Sequence, residues 1–480
     1  MAHYKADFQP IYISEMHVKN FKSLRSLNIR LKPITILLGP NSSGKTSLIQ
    51  TLLLIKQTLE SGNPEIPLVI NGKYLKLGTF KDIVFLRDLS RNVSFAFKFN
   101  VKNILRAAMK HEYRRFPLIF DIRKVEDLYI AFSVIYNESL QQLILSSSEI
   151  RFYPDNLTIS YSPSEFSIYV RENHEEGVPK SGFIKISSKK ALDTLSFRNF
   201  LPMVPSFLFS KIVRNKIIPL SEDQEKLLFN VRRRIAAFVY FLEMFLTENV
   251  KYLGPLREYP QRYYLTSGEV PKSAGIRGER AIELLYYEYS RRKEKLDVVR
   301  KWLKKFNLAS DVIIKRIEES LFELRLEDIS LKTLVNICDV GFGASQLLPI
   351  IIECFLSRPG SFLIVEQPEI HLHPSAQACL ADLFIESVRY NNNQLLIETH
   401  SEHLLIRLQR RIAEGVISKD DVSILYFKPT NEGTKVYPIE ISELGTFKEV
   451  PEGFFEEDIS EIIGLIKALK SRRNKNVYGG

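Results

Sequence analysis

The stretch ITILLGPNSSGKTSLIQTLLLIKQTL (residues 34–59) decides how this chain reads. ITILL is almost entirely apolar, as in a strand buried on both faces of a parallel sheet. TSLIQTLLLIKQTL is long and periodic enough to be a helix. Between them, GPNSSGKT fits G-x-x-x-x-G-K-[ST] at every fixed position, and strand, loop, helix is the context a phosphate loop requires. The glycines let the backbone curl so that successive N–H groups face the β- and γ-phosphates. Lys45 adds a point charge to those phosphates, and Thr46 offers a hydroxyl ligand to Mg2+. The helix aims its positive end at the anion. Gly39, Pro40, Asn41, Ser42, Ser43, Gly44, Lys45, Thr46 and Ser47 are therefore the candidate nucleotide-binding residues.

Toward the C-terminus, FLIVEQPEIHLHP (residues 362–374) places an apolar run before a set of acids. In α/β sheets the ligand chemistry sits at the carboxyl ends of the strands. Glu366 is the natural group to hold the hydration shell of Mg2+. Gln367 follows, and an amide cannot accept a proton, so general-base work is lost at that position. Glutamine can still orient a water. Glu369 and Glu398 are the remaining carboxylates available as a base. LLIETHSEHLL (residues 395–405) has strand-then-helix texture, and His400, just past the strand end, can bond a γ-phosphate and sense its loss. The rival reading pairs His400 with His403, adding His371 and His373, as metal ligands, but no H-E-x-x-H or cysteine pair supports it. DVGFGASQLLPIIIE (residues 339–353) is a glycine-rich turn opening an apolar helix, a second candidate anion site with Gly343 and Ser345 at its start.

The chain has 480 residues, 45% of them hydrophobic, with a net charge of +11. That supply of apolar residues builds a large core without staples. Three cysteines, Cys338, Cys354 and Cys379, are too few for a disulfide scaffold and read as thiols in a reducing cytosol. The N-terminus has no long apolar h-region, and the longest apolar runs are too short to span a bilayer. The expectation is a cytoplasmic protein with no membrane partner. Net positive charge fits a polyanion partner and equally a solvated surface. IYISEMHV (residues 11–18) and LNIRL (residues 27–31) have the partial alternation of half-buried strands. Within residues 90–190, VSFAFKF, YIAFSVIY, LTISYS and FSIYV alternate and are separated by turn formers, which predicts an antiparallel sheet. Residues 222–246 and 280–306 read as helices, with basic runs at Arg232, Arg233, Arg234 and at Arg291, Arg292. The division expected is an N-terminal half of the head at 1–89, an inserted β-rich and helical region at 90–328, a C-terminal half at 329–469, and a basic tail at 470–480.

Taken together, GPNSSGKTS, FGASQ, LIVEQPEIHLHP and ETHSEHLL resemble the ABC-type ATPases of the SMC, RecF and OLD lineage. YLGPLREYPQRYY (residues 252–264), NGKYLKLGTFKDIV (residues 71–84) and PEGFFEED (residues 451–458) are similar to stand-alone AAA-type ATPases related to the OLD proteins. The resemblance implies an α/β P-loop NTPase head of ABC/SMC type, split in sequence around the middle insertion, with ATP and Mg2+ as cofactors. It implies a Walker A loop at residues 39–46, a Walker B strand ending in Glu366, a signature motif at residues 342–346 and a switch histidine at His400. It implies a homodimer or higher even oligomer in which each signature segment meets the partner's γ-phosphate. Three departures stand out. FGASQ replaces the usual LSGGQ, Glu366 the usual aspartate, and Gln367 the usual catalytic glutamate. The last predicts slow hydrolysis. Many OLD proteins carry a TOPRIM nuclease after the switch histidine; the residues following His400 lack its spaced acids, so cleavage is expected from a separate effector or nuclease protein. The expected function is an ATP-gated switch in DNA repair or antiviral defence, working on DNA or on a partner protein. The alternative is the ATPase subunit of a transporter-like complex, against which the long insertion argues.

Overall fold

The computed structural model describes residues 11–104, 125–154, 157–171, 181–186, 196–203, 221–291 and 293–451. Its centre is a six-stranded sheet. Ile34–Leu38 is buried at all five positions and lies between Gln394–Glu398 and Val422–Thr430, parallel to both. Phe362–Glu366 and then Val250–Leu253 extend the sheet in parallel on one side, and Gly433–Ile439 closes the other edge in antiparallel. Strands covered on both faces read as near-continuous apolar runs. ITILL, FLIVE and QLLIE are each buried along their whole length and apolar except at Thr35, Gln394 and the terminal Glu366 and Glu398.

Strand side chains alternate between faces, and here the alternation divides two cores. Leu37, Phe362, Ile364 and Leu396 face the Lys45–Glu60 helix, with Leu48, Ile49 and Leu52 in the same cluster. Ile36, Leu38, Leu363, Val365 and Ile397 face the opposite way, onto the helices Phe342–Phe355 and Pro374–Asn391. Glu366 is two residues beyond Ile364 and Glu398 two beyond Leu396. Both carboxylates therefore point to the face that carries the Lys45–Glu60 helix.

The antiparallel sheet predicted within residues 90–190 is present, but it does not stand alone. Val93–Asn100 pairs with Ile13–Phe21, which pairs in turn with Leu24–Arg30. Asp127–Asn137, Gln142–Tyr153, Leu157–Ser162, Glu165–Arg171 and Ser181–Ile186 continue it to eight strands. The middle of the chain also supplies Val250–Leu253 to the central sheet. A third, four-stranded antiparallel sheet, formed by Tyr264–Leu265, Asp311–Arg316, Leu321–Glu327 and Leu334–Asn336, was not predicted by the local sequence pattern.

Residues 222–246 form the helix Glu222–Met244, started by a capping box at Ser221 and Gln224. Residues 280–306 form two helices, Ala281–Arg291 and Lys293–Lys305, rather than one. Leu285, Leu296, Val299 and Leu303 keep a single helical phase across the break, all buried in the same core. Periodicity therefore cannot reveal it. Cys354 and Cys379 are buried free thiols and Cys338 is half-buried. Among the described residues no helix is long and apolar enough to cross a membrane. The tail at residues 470–480 and residues 452–458 of PEGFFEED lie outside the described residues.

Candidate functional site

The carboxyl ends of three adjacent strands bring the sequence-predicted residues together. Glu366 and Glu398 are partners in the parallel register, and Glu398 is in turn partnered with Leu37, just before the phosphate loop. The loop turns back at Gly39, with φ +136°, and a Cβ there would lie 2.2 Å from the Phe427 carbonyl oxygen. Only glycine adopts that conformation at that separation. At the far end Gly44, with φ +100°, precedes the helix, and a Cβ there would meet Thr434 Oγ1 at 2.6 Å. Thr434 braces the loop by donating to the Ser43 carbonyl at 2.8 Å. The strands Val422–Thr430 and Gly433–Ile439 thus hold the loop in shape.

Within the loop Pro40, Asn41 and Ser42 are exposed, Ser42 at φ +59°, and Ser43 is buried, its hydroxyl without a partner among the described residues. Lys45 is buried; its Nζ donates to the carbonyls of Gly39 at 2.8 Å and Pro40 at 2.9 Å and stands 3.9 Å from Glu398 Oε1. Burial lowers its pKa, opposed by the charges of Glu398 and Glu369. Thr46 Oγ1 lies 3.1 Å and 3.4 Å from the two carboxylate oxygens of Glu398. Ser47 follows, half-buried, in the first helical turn.

Three carboxylates crowd this edge. Glu366 is buried, and desolvation, with the charge of Glu398 added, raises its pKa to about 7. Desolvation likewise raises Glu398, with Lys45 and the Thr46 hydroxyl pulling the other way. Glu369 is raised by desolvation too, and both its oxygens are engaged: Oε1 accepts the His400 backbone N–H at 2.6 Å and Oε2 the Thr399 hydroxyl at 2.8 Å. It brackets the histidine turn. Gln367 sits at φ +45° and its backbone N–H donates to the Glu398 carbonyl at 2.7 Å. Burial, then the charge of Lys45, keeps His400 below the usual imidazole range.

His371 and His373 are engaged elsewhere. His371 packs its ring 5.0 Å from that of Phe342, and His373 bonds Ser375. Among the described residues no three His, Cys, Asp or Glu side chains form a metal cage. Nor do Gly343 and Ser345 approach the phosphate loop. A Cβ on Gly343 would meet only Leu308 and Leu372 within 4 Å, and the buried Ser345 hydroxyl turns back to the Phe342 carbonyl at 2.7 Å.

Two site residues went unassigned in the sequence. Tyr252 donates its hydroxyl to Glu366 Oε1 at 2.7 Å, and buried Arg257 donates Nη2 to the Glu366 carbonyl at 3.2 Å. The signal available was VKYLGP, a short apolar strand with a breaker, which marks a strand end where ligands gather.

A family model described as an AAA ATPase domain matches residues 12–405, and the chain belongs to that family of ATPases. A second model, of a protein of unknown function, matches residues 417–462, which include the loop-bracing Phe427 and Thr434. No curated protein matches the chain. Among solved structures, an SMC head bound to the C-winged helix domain of ScpA is similar at 14% identity and TM-score 0.42, covering 90% of this chain and 98% of that one. The SMC head domain from Thermotoga maritima is similar at 11% identity and TM-score 0.40, covering 90% and 100%. An SMC head with an extended coiled coil bound to the C-terminal domain of ScpA, from Pyrococcus furiosus, is similar at 13% identity and TM-score 0.37, covering 95% and 99%.

Proposed function

We propose that this ATPase-family chain binds Mg2+–ATP at residues 39–46, hydrolyses it slowly, and works as a nucleotide-gated switch. The observation that carries the reading is the buried cluster of Lys45, Glu366 and Glu398, closed by Thr46, at the carboxyl ends of the central strands. Lys45 and the loop N–H groups hold the β- and γ-phosphates, and the Lys45–Glu60 helix directs its positive end at them. Thr46, Glu366 and Glu398 offer hard oxygen donors of the kind Mg2+ takes from one or two carboxylates, with phosphates and waters completing its shell. Both carboxylates are shifted upward, and a cation held between them would reverse that shift. When bound, the ion neutralises charge on the phosphates.

Gln367 orients water without accepting its proton, so turnover is slow. Glu369, with both oxygens engaged, positions His400 beside the γ-phosphate, and His400 reports phosphate loss to its turn. Two copies pair across the nucleotides, each presenting to the other the helix start where Gly341 is exposed, with Gly343 and the buried Ser345 behind it. The phosphate loop comes from residues 1–89 and the acids from residues 329–469, which supports reading these as two halves of one head, joined in the central sheet by Val250–Leu253. Downstream we place DNA or a separate effector protein, in genome maintenance or defence, in the cytoplasm. The net charge of +11 and the exposed Arg291 support nucleic-acid contact. The side chains of Arg232, Arg233, Arg234 and Arg292 lie outside the described residues.

The test pairs phosphate release with light scattering on one sample at saturating Mg2+–ATP. Turnover below about 1 s−1, the low end of ordinary enzymes, with a doubled mass on ATP addition, is expected. Fast turnover by an unchanged monomer rejects the switch.

A further inference from the structure

Glu366 is held twice, and both holds come from one short segment. Val250–Leu253 runs parallel to Phe362–Glu366 with Tyr252 opposite Ile364. Residues two apart on a strand share a face, so the Tyr252 ring lies along the face shared by Ile364 and Glu366. Its hydroxyl reaches diagonally to Glu366 Oε1 at 2.7 Å. The chain then turns at Gly254, and Arg257 returns to donate Nη2 to the Glu366 carbonyl at 3.2 Å. Arg257 is 5% exposed, and its Nε and Nη1 are buried with no hydrogen-bond partner among the described residues. A guanidinium stays charged even when buried, and an uncompensated buried charge is strongly destabilising. Burial lowers the pKa of Arg257, and the charges of Glu366 and Glu369 oppose that shift. Its place is therefore that of the cation inside the acidic strand end.

A carboxylate with free rotamers must be ordered at the moment it binds. Glu366 is ordered beforehand: one oxygen is committed to Tyr252, and Oε2 carries no hydrogen bond among the described residues. We propose that Tyr252 and Arg257 are positioning residues of the nucleotide site, which fix Glu366 by one carboxylate oxygen and its carbonyl so that Oε2 is presented to the divalent cation. The inference rests on the Mg2+–nucleotide reading above.

The experiment titrates Mg2+ into the full chain with a fluorescent ATP analogue present, for wild type, Tyr252→Phe and Arg257→Lys, with melting temperatures alongside. Tyr252→Phe keeps the ring and removes only the hydroxyl. Loss of an outer-shell partner typically weakens a metal site by 10-fold or more, so the Mg2+ midpoint rises roughly tenfold. Analogue binding without Mg2+ stays at the wild-type value, while the melting temperature falls because the buried Glu366 carboxylate loses a donor. Arg257→Lys retains the charge but loses the fork, and raises the midpoint in the same direction. A wild type that binds no analogue overturns the nucleotide reading itself. A wild type that binds normally, with both variants sharing its Mg2+ midpoint, overturns the positioning role alone, whether or not the variants melt lower.

Discussion

The Thr46 hydroxyl lies across the carboxylate of Glu398, 3.1 Å from Oε2 and 3.4 Å from Oε1, and ties the start of the phosphate-loop helix to the end of the neighbouring strand. The carboxylate that meets Thr46 is thus Glu398, whereas Glu366, the acid at the end of FLIVE, is held by Tyr252. If the pair seats the cation, Thr46→Ser retains Mg2+-dependent ATP binding and Thr46→Ala loses it. Glu398→Gln keeps the shape, removes one charge, and weakens Mg2+–ATP by at least tenfold, a loss of about 1.4 kcal/mol. Calorimetric titration with and without Mg2+ reads this directly. Equal Mg2+ dependence in all three variants contradicts it.

Acidity adds a second handle. Desolvation, then the Glu398 charge, sets the Glu366 pKa at about 7, and a cation must displace that proton to bind. Mg2+–ATP affinity therefore rises from pH 6 to pH 8. Stability of the nucleotide-free protein runs the other way. A buried acid raised in the fold stabilises it below the ordinary carboxyl range and loses that contribution as pH climbs through about 7. The melting temperature of the free protein should fall across this window, and Glu366→Gln should flatten the fall. A melting temperature that rises across it, unchanged in the variant, contradicts the assignment.

Much of this was legible because central strands have few solutions. ITILL, FLIVE and QLLIE are buried on both faces, so composition alone identifies them, and the loop after the first is fixed by its glycines. The alternating segments around Phe95, Ile130 and Ile159 were equally readable as strands. Their attachment to Ile13–Phe21 was not, because pairing partners are chosen by tertiary packing and not by local pattern. The hairpin of Asp311–Arg316 and Leu321–Glu327 carries the same alternation, with Val312, Phe322, Leu324 and Leu326 buried. It lies between helices, where short strands are easily passed over. Tyr252 and Arg257 were hidden for a different reason: each reaches Glu366 across more than a hundred residues of chain, which no spacing rule records.

The position after the acidic strand sets the expected rate. Gln367 occupies a turn at φ +45° with its backbone N–H tied to the Glu398 carbonyl, so its placement is fixed. Gln367→Glu supplies the missing base at that place and should raise steady-state phosphate release by about 10²-fold, the low end of general-base contributions. ATP affinity should hardly change. A flat rate in Gln367→Glu, with loss of activity in Glu369→Gln, would transfer the base role to Glu369.

Dimerisation is better probed at Gly341 than at Ser345. Ser345 is buried and bonded to Phe342, so bulk there would disturb packing first. Gly341 is exposed at the helix start, and a Cβ added there would meet nothing within 4 Å. Gly341→Arg should melt like wild type and bind ATP normally, yet lose the ATP-dependent gain in mass by light scattering. A variant that still dimerises on ATP removes this helix start from the interface.

The central claim is that residues 39–46 bind the phosphates through Lys45. Lys45→Ala deletes the ammonium while leaving Gly39, Gly44 and the bracing from Phe427 and Thr434 in place. The direct measurement is equilibrium binding of a fluorescent ATP analogue in Mg2+ to wild type and to a Lys45→Ala protein shown by circular dichroism to be folded. The account predicts saturable binding by wild type and a loss of at least tenfold in the variant, equivalent to about 1.4 kcal/mol or more. Undiminished affinity in the folded variant would contradict it.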